Sequence, residues 1–280
     1  MYETFYGMKE KPFSILPDPD LVYWGRTHSM AFAVLECAIS NNVGLTVVTG
    51  EVGSGKTTLL RCLLRRLDPM FTIALISNTP HEQEDLLRWI MLSLRLPSEG
   101  ALPSLISRLQ DFVHAQHAKG RRTMLIIDEA QNLRPEALET LRMLSNINTE
   151  KYQLLQIILV GQPQLRDALQ APELLQFAQR VTSDFHIPRL PQEDVAKYID
   201  YRLGAVGAPE QLFMPEACRT IAEASAGIPR VINMLCDKSL VYGFAIGAHN
   251  IADELVCEVI EDKNNFGIFP VSRSMVGCER

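Results

Sequence analysis

A buried strand, a glycine-rich loop and a helix start meet near residue 50. Few folds accommodate such a junction. Leu45-Thr46-Val47-Val48-Thr49 is a short apolar run rich in β-branched residues and reads as a buried strand. It leads directly into Gly50-Glu51-Val52-Gly53-Ser54-Gly55-Lys56-Thr57, and Thr57 to Leu67 reads as a helix. The octet has the spacing GxxxxGK[ST]. Given average glycine usage, a chance match in a chain of this length has odds of roughly one in a hundred. The strand before it and the helix after it lower those odds further. Glycines let backbone amides turn toward an anion, and the helix N-terminus adds the positive end of its dipole. The segment therefore reads as a phosphate-binding loop. Val52, Gly53, Ser54, Gly55, Lys56, Thr57 and Thr58 would contact a nucleotide, ATP. Lys56 would reach the β and γ phosphates, and the Thr57 hydroxyl would hold Mg²⁺.

Further buried strands follow at Phe71 to Ile76, Met124 to Ile127 and Leu154 to Val160, with a shorter one at Asp184 to Ile187. Helical spacing marks Thr27 to Ile39, Glu82 to Leu94, Ser104 to Ala118 and Pro135 to Leu144. Strands alternating with helices predict an α/β fold with a parallel sheet covered on both faces. After Pro188 no strand is obvious. Val195, Tyr198, Ile199 and Leu203 form one helical face, and helices follow over Pro215 to Ala224, Val231 to Phe244 and Ile251 to Ile260. The division expected is an arm over 1–25, an α/β nucleotide-binding domain over 26–190, a helical lid over 191–262 and a loosely held tail over 263–280. The arm is rich in aromatics and prolines, which favour an extended path pinned to the core.

Composition narrows the function. Hydrophobic residues are 47% and charged residues 21% of the 280, which fits a globular chain and excludes general disorder. The net charge of -6 weighs against tight, unassisted DNA binding. Cys37, Cys62, Cys218, Cys236, Cys257 and Cys278 form no CxxC pair, which argues against a zinc site or disulfide scaffold. Most are expected to be small core residues. The N-terminus lacks the pattern of a signal peptide, and no stretch reaches the roughly 18 apolar residues of a membrane span. The expected location is cytoplasmic.

Three more places carry chemistry. The strand Met124 to Ile127 ends in Asp128-Glu129. In open α/β sheets ligands bind at that end. Asp128 would hold Mg²⁺, and Glu129 would orient and deprotonate the attacking water. The strand before Gly161 ends in Gln162, level with Glu129, where it could hold that water or read the γ-phosphate. Arg180 and Arg230 are candidates for stabilising transition-state charge, provided the fold aims them at the phosphates.

Taken in order, Gly50 to Thr57, Asp128-Glu129, Gln162, Arg180 and Gly227-Ile228-Pro229-Arg230 resemble an AAA+ ATPase. They match its Walker A, Walker B, sensor 1, arginine finger and sensor 2. More narrowly, the chain resembles the general secretion pathway protein A family, with its pilus-biogenesis and exosortase-associated relatives. That resemblance rests on Phe5 to Phe13, Pro17-Asp18-Pro19, His28, Gly50 to Thr58, Asp128 to Leu133 and Gly161 to Leu165, and it covers about residues 1 to 262. It implies a five-stranded parallel sheet followed by a small all-helical lid. Arg180 would act in trans within a homo-oligomer, Arg230 would sense nucleotide from the lid, and His28 and the arm would lie on the adenine side. It also implies work at the inner membrane on a secretion, pilus or export assembly. Family members continue into a membrane span and a peptidoglycan-binding domain, which this sequence does not reach. A partner protein at the inner membrane is therefore expected. Two other readings stay open: a DNA-directed AAA+ regulator of transposition or replication, with Arg61, Arg65 and Arg66 on the helix after the loop, and a nucleotide-dependent switch with little turnover. Asp128-Glu129-Ala130-Gln131 also resembles a helicase motif, but such enzymes need two ATPase lobes and one is expected here.

Overall fold

A computed structural model describes residues 1–77, 83–149, 152–267 and 271. The chain divides into two compact units. One comprises residues 29–50 and 62–187, the other residues 1–28, 51–61 and 188–280.

The first of these units holds a five-stranded parallel sheet. Its strands are β1 (Leu45–Gly50), β2 (Phe71–Ile76), β3 (Arg122–Ile127), β4 (Leu155–Gly161) and β5 (Ser183–Ile187), in the order β2-β3-β4-β1-β5. Every residue of β1 and β4 is buried, as their unbroken apolar runs predict for central strands. Register pairs Ile127 with Leu159 and Thr49 with Gly161, so the C-terminal ends of β3, β4 and β1 stand level along one edge. Helices α4 (Gln83–Ser93), α5 (Leu102–Ala118) and α6 (Pro135–Leu144) supply Leu86, Leu87, Ile90, Leu105, Leu109, Leu138 and Leu141 to the core of this unit. Two short helices follow β4: α7 (Pro163–Leu169) and α8 (Leu175–Ala178). Helix α2 (Arg26–Ser40) precedes the sheet, and α3 (Lys56–Arg66) begins at the lysine of the glycine-rich loop.

The other unit is helical. Helices α9 (Gln192–Ala205), α10 (Pro215–Ser225), α11 (Pro229–Ile246) and α12 (Asp253–Phe266) share a core that includes Val195, Ile199, Ile221, Ile232, Leu240 and Val256. Tyr2, Tyr6 and Phe13 are buried in that same core, as expected of pinned aromatics, whereas Trp24 is exposed. Three side chains hold the arm by its backbone: Arg202 Nε donates to Pro12 O at 2.6 Å, Asn233 Nδ2 to Ser14 O at 3.2 Å, and Arg61 Nη1 to Pro17 O at 2.8 Å.

Local structure departs from the sequence expectation in instructive ways. The arm opens with a helical turn, α1 (Tyr2–Phe5), because its first proline comes only at residue 12. A 3-10 turn at Pro19–Leu21 follows, with Pro19 at the first position, where the missing N–H costs nothing. Helix α11 starts at Pro229 rather than Val231 for the same reason. Helix α12 starts at Asp253 because Ile251 is taken up in a bridge with Phe213. Predicted helix position Glu82 and Cys278 fall outside the described residues. Of the other cysteines, Cys62, Cys218 and Cys236 are buried, Cys37 is exposed, and all five are free thiols. Burial pushes the Cys218 thiol up to about 12, which makes it inert near neutral pH. No described helix is long and apolar enough to cross a membrane.

Candidate functional site

The glycine-rich loop takes a conformation that only glycine adopts readily at two of its positions. Gly53 and Gly55 both lie in the left-handed region, with φ of +81° and +94°. Lys56 is buried, and its Nζ donates to the Glu51 carbonyl at 2.9 Å. Ser54 is 1% exposed, and its Oγ has no hydrogen-bond partner. A buried, unpartnered hydroxyl beside a buried lysine ammonium is a donor pair that a phosphate oxygen would satisfy. The donor set therefore fits a polyphosphate.

Two residues distant in sequence brace the loop. The Arg230 backbone N–H donates to Gly53 O at 3.2 Å, at the start of α11. A Cβ added to Gly53 would lie 2.5 Å from Arg230 Cβ and 3.3 Å from Ile228 Cγ2. Glycine at 53 is thus required twice, by its φ and by the approach of α11. The Arg230 side chain itself is exposed. On the other side, His28 Nε2 lies 2.9 Å from Ser54 O. A carbonyl can only accept, so Nε2 carries the proton, and Nδ1 faces the Thr27 hydroxyl at 3.4 Å. Burial pushes the His28 imidazole below its ordinary value, so the ring is neutral. A Cβ at Gly55 would come within 3.0 Å of the same nitrogen. His28 therefore touches the phosphate loop itself. Arg189 reaches Glu51 at 3.7 Å, an exposed pair.

In the sheet-bearing unit, Asp128 and Glu129 leave β3 side by side. Asp128 is 4% exposed, and its Oδ1 accepts the Glu129 N–H at 2.9 Å. Glu129 is in the left-handed conformation, φ 55° and ψ 37°, which costs an L-residue about 1–2 kcal/mol. Its Oε2 accepts from Gln131 Nε2 at 2.6 Å and from Gln162 Nε2 at 3.3 Å. Gln162 occupies the N-cap position of α7, and the level strand ends bring it to Glu129 as the parallel register requires. Arg180 follows α8, exposed, with its backbone N–H donating to Phe177 O at 2.9 Å.

Gln131 is the contact that motif reading gives no role. It stands in the family-like string after Glu129, on a single 3-10 turn. Its only signal in the sequence is a polar residue two places beyond the acidic pair. On α3, Arg61 holds the arm, and Arg66 pairs with Glu36 at 3.4 Å and lies over the Phe32 ring.

The AAA domain family matches residues 40–169. Over 253 residues the chain is 41% identical to general secretion pathway protein A of Aeromonas hydrophila, covering 90% of this chain and 46% of that protein. The chain is thus similar to the AAA-domain portion of general secretion pathway protein A. It spans about half the length of that relative. Among solved structures, the ORC2 protein of Aeropyrum pernix in its ADPNP-ADP complexes matches with a TM-score of 0.66 at 18% identity, over 91% of this chain and 72% of that one. Cdc6p of Pyrobaculum aerophilum gives 0.67 at 18%, over 88% and 71%. The RuvB branch migration motor of Thermotoga maritima gives 0.58 at 17%, over 90% and 74%. At such identities these likenesses establish the fold: a P-loop AAA-type sheet followed by helices.

Proposed function

We propose that the chain is an ATPase in which the glycine-rich loop binds the phosphates of ATP and Glu129 activates water for their hydrolysis. The observation that carries this reading is the glycine-rich loop, with Lys56 buried and the Ser54 hydroxyl unpartnered. Val52 to Thr58 would cradle the phosphates, with Lys56 opposite the β and γ groups. Mg²⁺, held by the Thr57 hydroxyl and the Asp128 carboxylate, would supply charge neutralisation on the phosphate oxygens. Glu129 takes a proton from the attacking water, and Gln162 orients that water from the neighbouring strand end. Arg230, whose backbone already contacts Gly53, senses the nucleotide from the start of α11. Arg180 is solvent-facing and has the exposure that a residue acting on a neighbouring subunit's ATP needs. The working form in this reading is a homo-oligomer.

The likeness to general secretion pathway protein A supports a role in assembling an envelope secretion, pilus or export system. The protein would work in the cytoplasm, or peripherally at the inner membrane through a partner protein. DNA-directed action is the competing reading, disfavoured by the acidic balance and by the engagement of Arg61 and Arg66.

The test is steady-state ATP hydrolysis against protein concentration, with and without DNA. Turnover per subunit that climbs with concentration and ignores DNA is expected. Strong stimulation by DNA would install the competing reading. Lys56→Ala should abolish nucleotide binding, and Glu129→Gln should bind ATP without turning it over. Undiminished affinity in the first, or undiminished turnover in the second, would sink the assignment concerned.

A further inference from the structure

We propose that Gln131 is a positioning residue for ATP hydrolysis. Its one amide holds the Glu129 carboxylate and at the same time fixes the backbone of Gln162. This rests on the ATPase reading given above.

The geometry is reciprocal. Gln131 Nε2 donates to Glu129 Oε2 at 2.6 Å, and Gln131 Oε1 accepts the Gln162 N–H at 2.9 Å. Both ends of the amide are therefore committed, and to the two groups assigned to the attacking water. The Gln162 side chain closes the ring on the same carboxylate oxygen at 3.3 Å. The bond from Gln131 is the short one and so sets where that oxygen sits. A glutamate side chain has three rotatable bonds and samples many rotamers unless something holds it. A group placed loosely by even 1 Å forfeits much of its catalytic effect.

Two further features support a built arrangement. Gly161 leaves room for the amide: a Cβ there would stand 3.0 Å from Gln131 Oε1 and 2.9 Å from Leu165 Cδ2. Glu129 also keeps a left-handed backbone that a non-glycine residue rarely adopts. Strain of that kind persists where surrounding contacts over-determine it, and the amide bridge is such a contact. The bridge also joins β3 to the first turn of α7. A displacement of Gln162 on reading the γ-phosphate is thereby passed to Glu129 through one side chain.

The test uses Gln131→Met, which keeps the length and loses both hydrogen bonds, and Gln131→Glu, which sets a carboxylate against Glu129. Both are made in the parent and in the Glu129→Gln background. ATP hydrolysis gives kcat and KM, a fluorescent ATP analogue gives affinity, and thermal midpoints report folding. The expected result is a fall in kcat of at least tenfold for both variants, with KM and affinity within about twofold. In the Glu129→Gln background neither variant should lower the residual rate further, because a residue acting through Glu129 has nothing left to act on. Parental kcat in Gln131→Met, a rise in KM alone, or losses that multiply across the double variants would each overturn the proposal. If Glu129→Gln itself turns over at the parental rate, the base assignment fails. If Glu129→Gln is inactive while Gln131→Met is normal, only the role of Gln131 fails.

Discussion

Gly53→Ala tests whether the phosphate loop depends on its contact with α11. The new Cβ would stand 2.5 Å from Arg230 Cβ, against a side chain rooted in the helix backbone that cannot swing away. One of the two segments must retreat by about 1 Å to restore ordinary carbon contact. That retreat breaks the Arg230 N–H bond to Gly53 O, worth about 1 kcal/mol. A φ of +81° adds about 1–2 kcal/mol for an L-residue. The free loop can relax to escape both terms, so the cost appears when nucleotide draws it back. A loss of about 2–3 kcal/mol corresponds to a dissociation constant raised roughly 30- to 150-fold. Titration with a fluorescent ATP analogue and Mg²⁺ measures it. Gly247→Ala is the control. Its φ is +71°, nothing lies within 4 Å of the added Cβ, and it caps the far end of α11, about 27 Å along an 18-residue helix. That variant should lose about 1 kcal/mol of stability, a midpoint shift of about 2–4 °C, with affinity unchanged. A Gly53→Ala protein that binds nucleotide within threefold of the parent would refute the reasoning.

Three further outcomes are expected. Arg180→Ala should bind ATP normally and hydrolyse little, and mixing it with Glu129→Gln protein should restore part of the turnover; no recovery at any mixing ratio would count against action in trans. Gly227→Ala should destabilise by more than about 3 kcal/mol, because φ is +72° and the new Cβ would overlap the Leu190 carbonyl oxygen, whose own N–H is bonded to Gly227 O. A urea midpoint close to the parent's would contradict that steric reading. His28 binds its proton less readily folded than unfolded, since burial pushes it down. Its contribution to stability is therefore complete above about pH 6.5 and declines as the pH falls below that value. His28→Gln, which keeps an N–H donor but does not titrate, should flatten the stability slope between pH 7 and 5; an unchanged slope would show that His28 is not its source.

Much of this protein was legible in the residues alone. The strand, glycine loop and helix at residues 45–67 form one local pattern, and the four other apolar runs named the remaining strands to within about two residues. Their alternation with helices required parallel pairing, and parallel pairing brought Glu129 and Gln162 level. The arm's aromatics announced burial. All of this follows because periodicity, propensity and motif spacing are properties of neighbours in sequence. Tertiary structure alone decided the strand order, with β1 between β4 and β5. It alone set Arg230 on Gly53, His28 on Ser54, and Gln131 across Glu129 and Gln162. The left-handed backbone at Glu129 was equally invisible, since glutamate carries no preference for it. These contacts join residues far apart in the chain, and a hydrogen-bond partner is chosen by packing and register, which no single segment encodes.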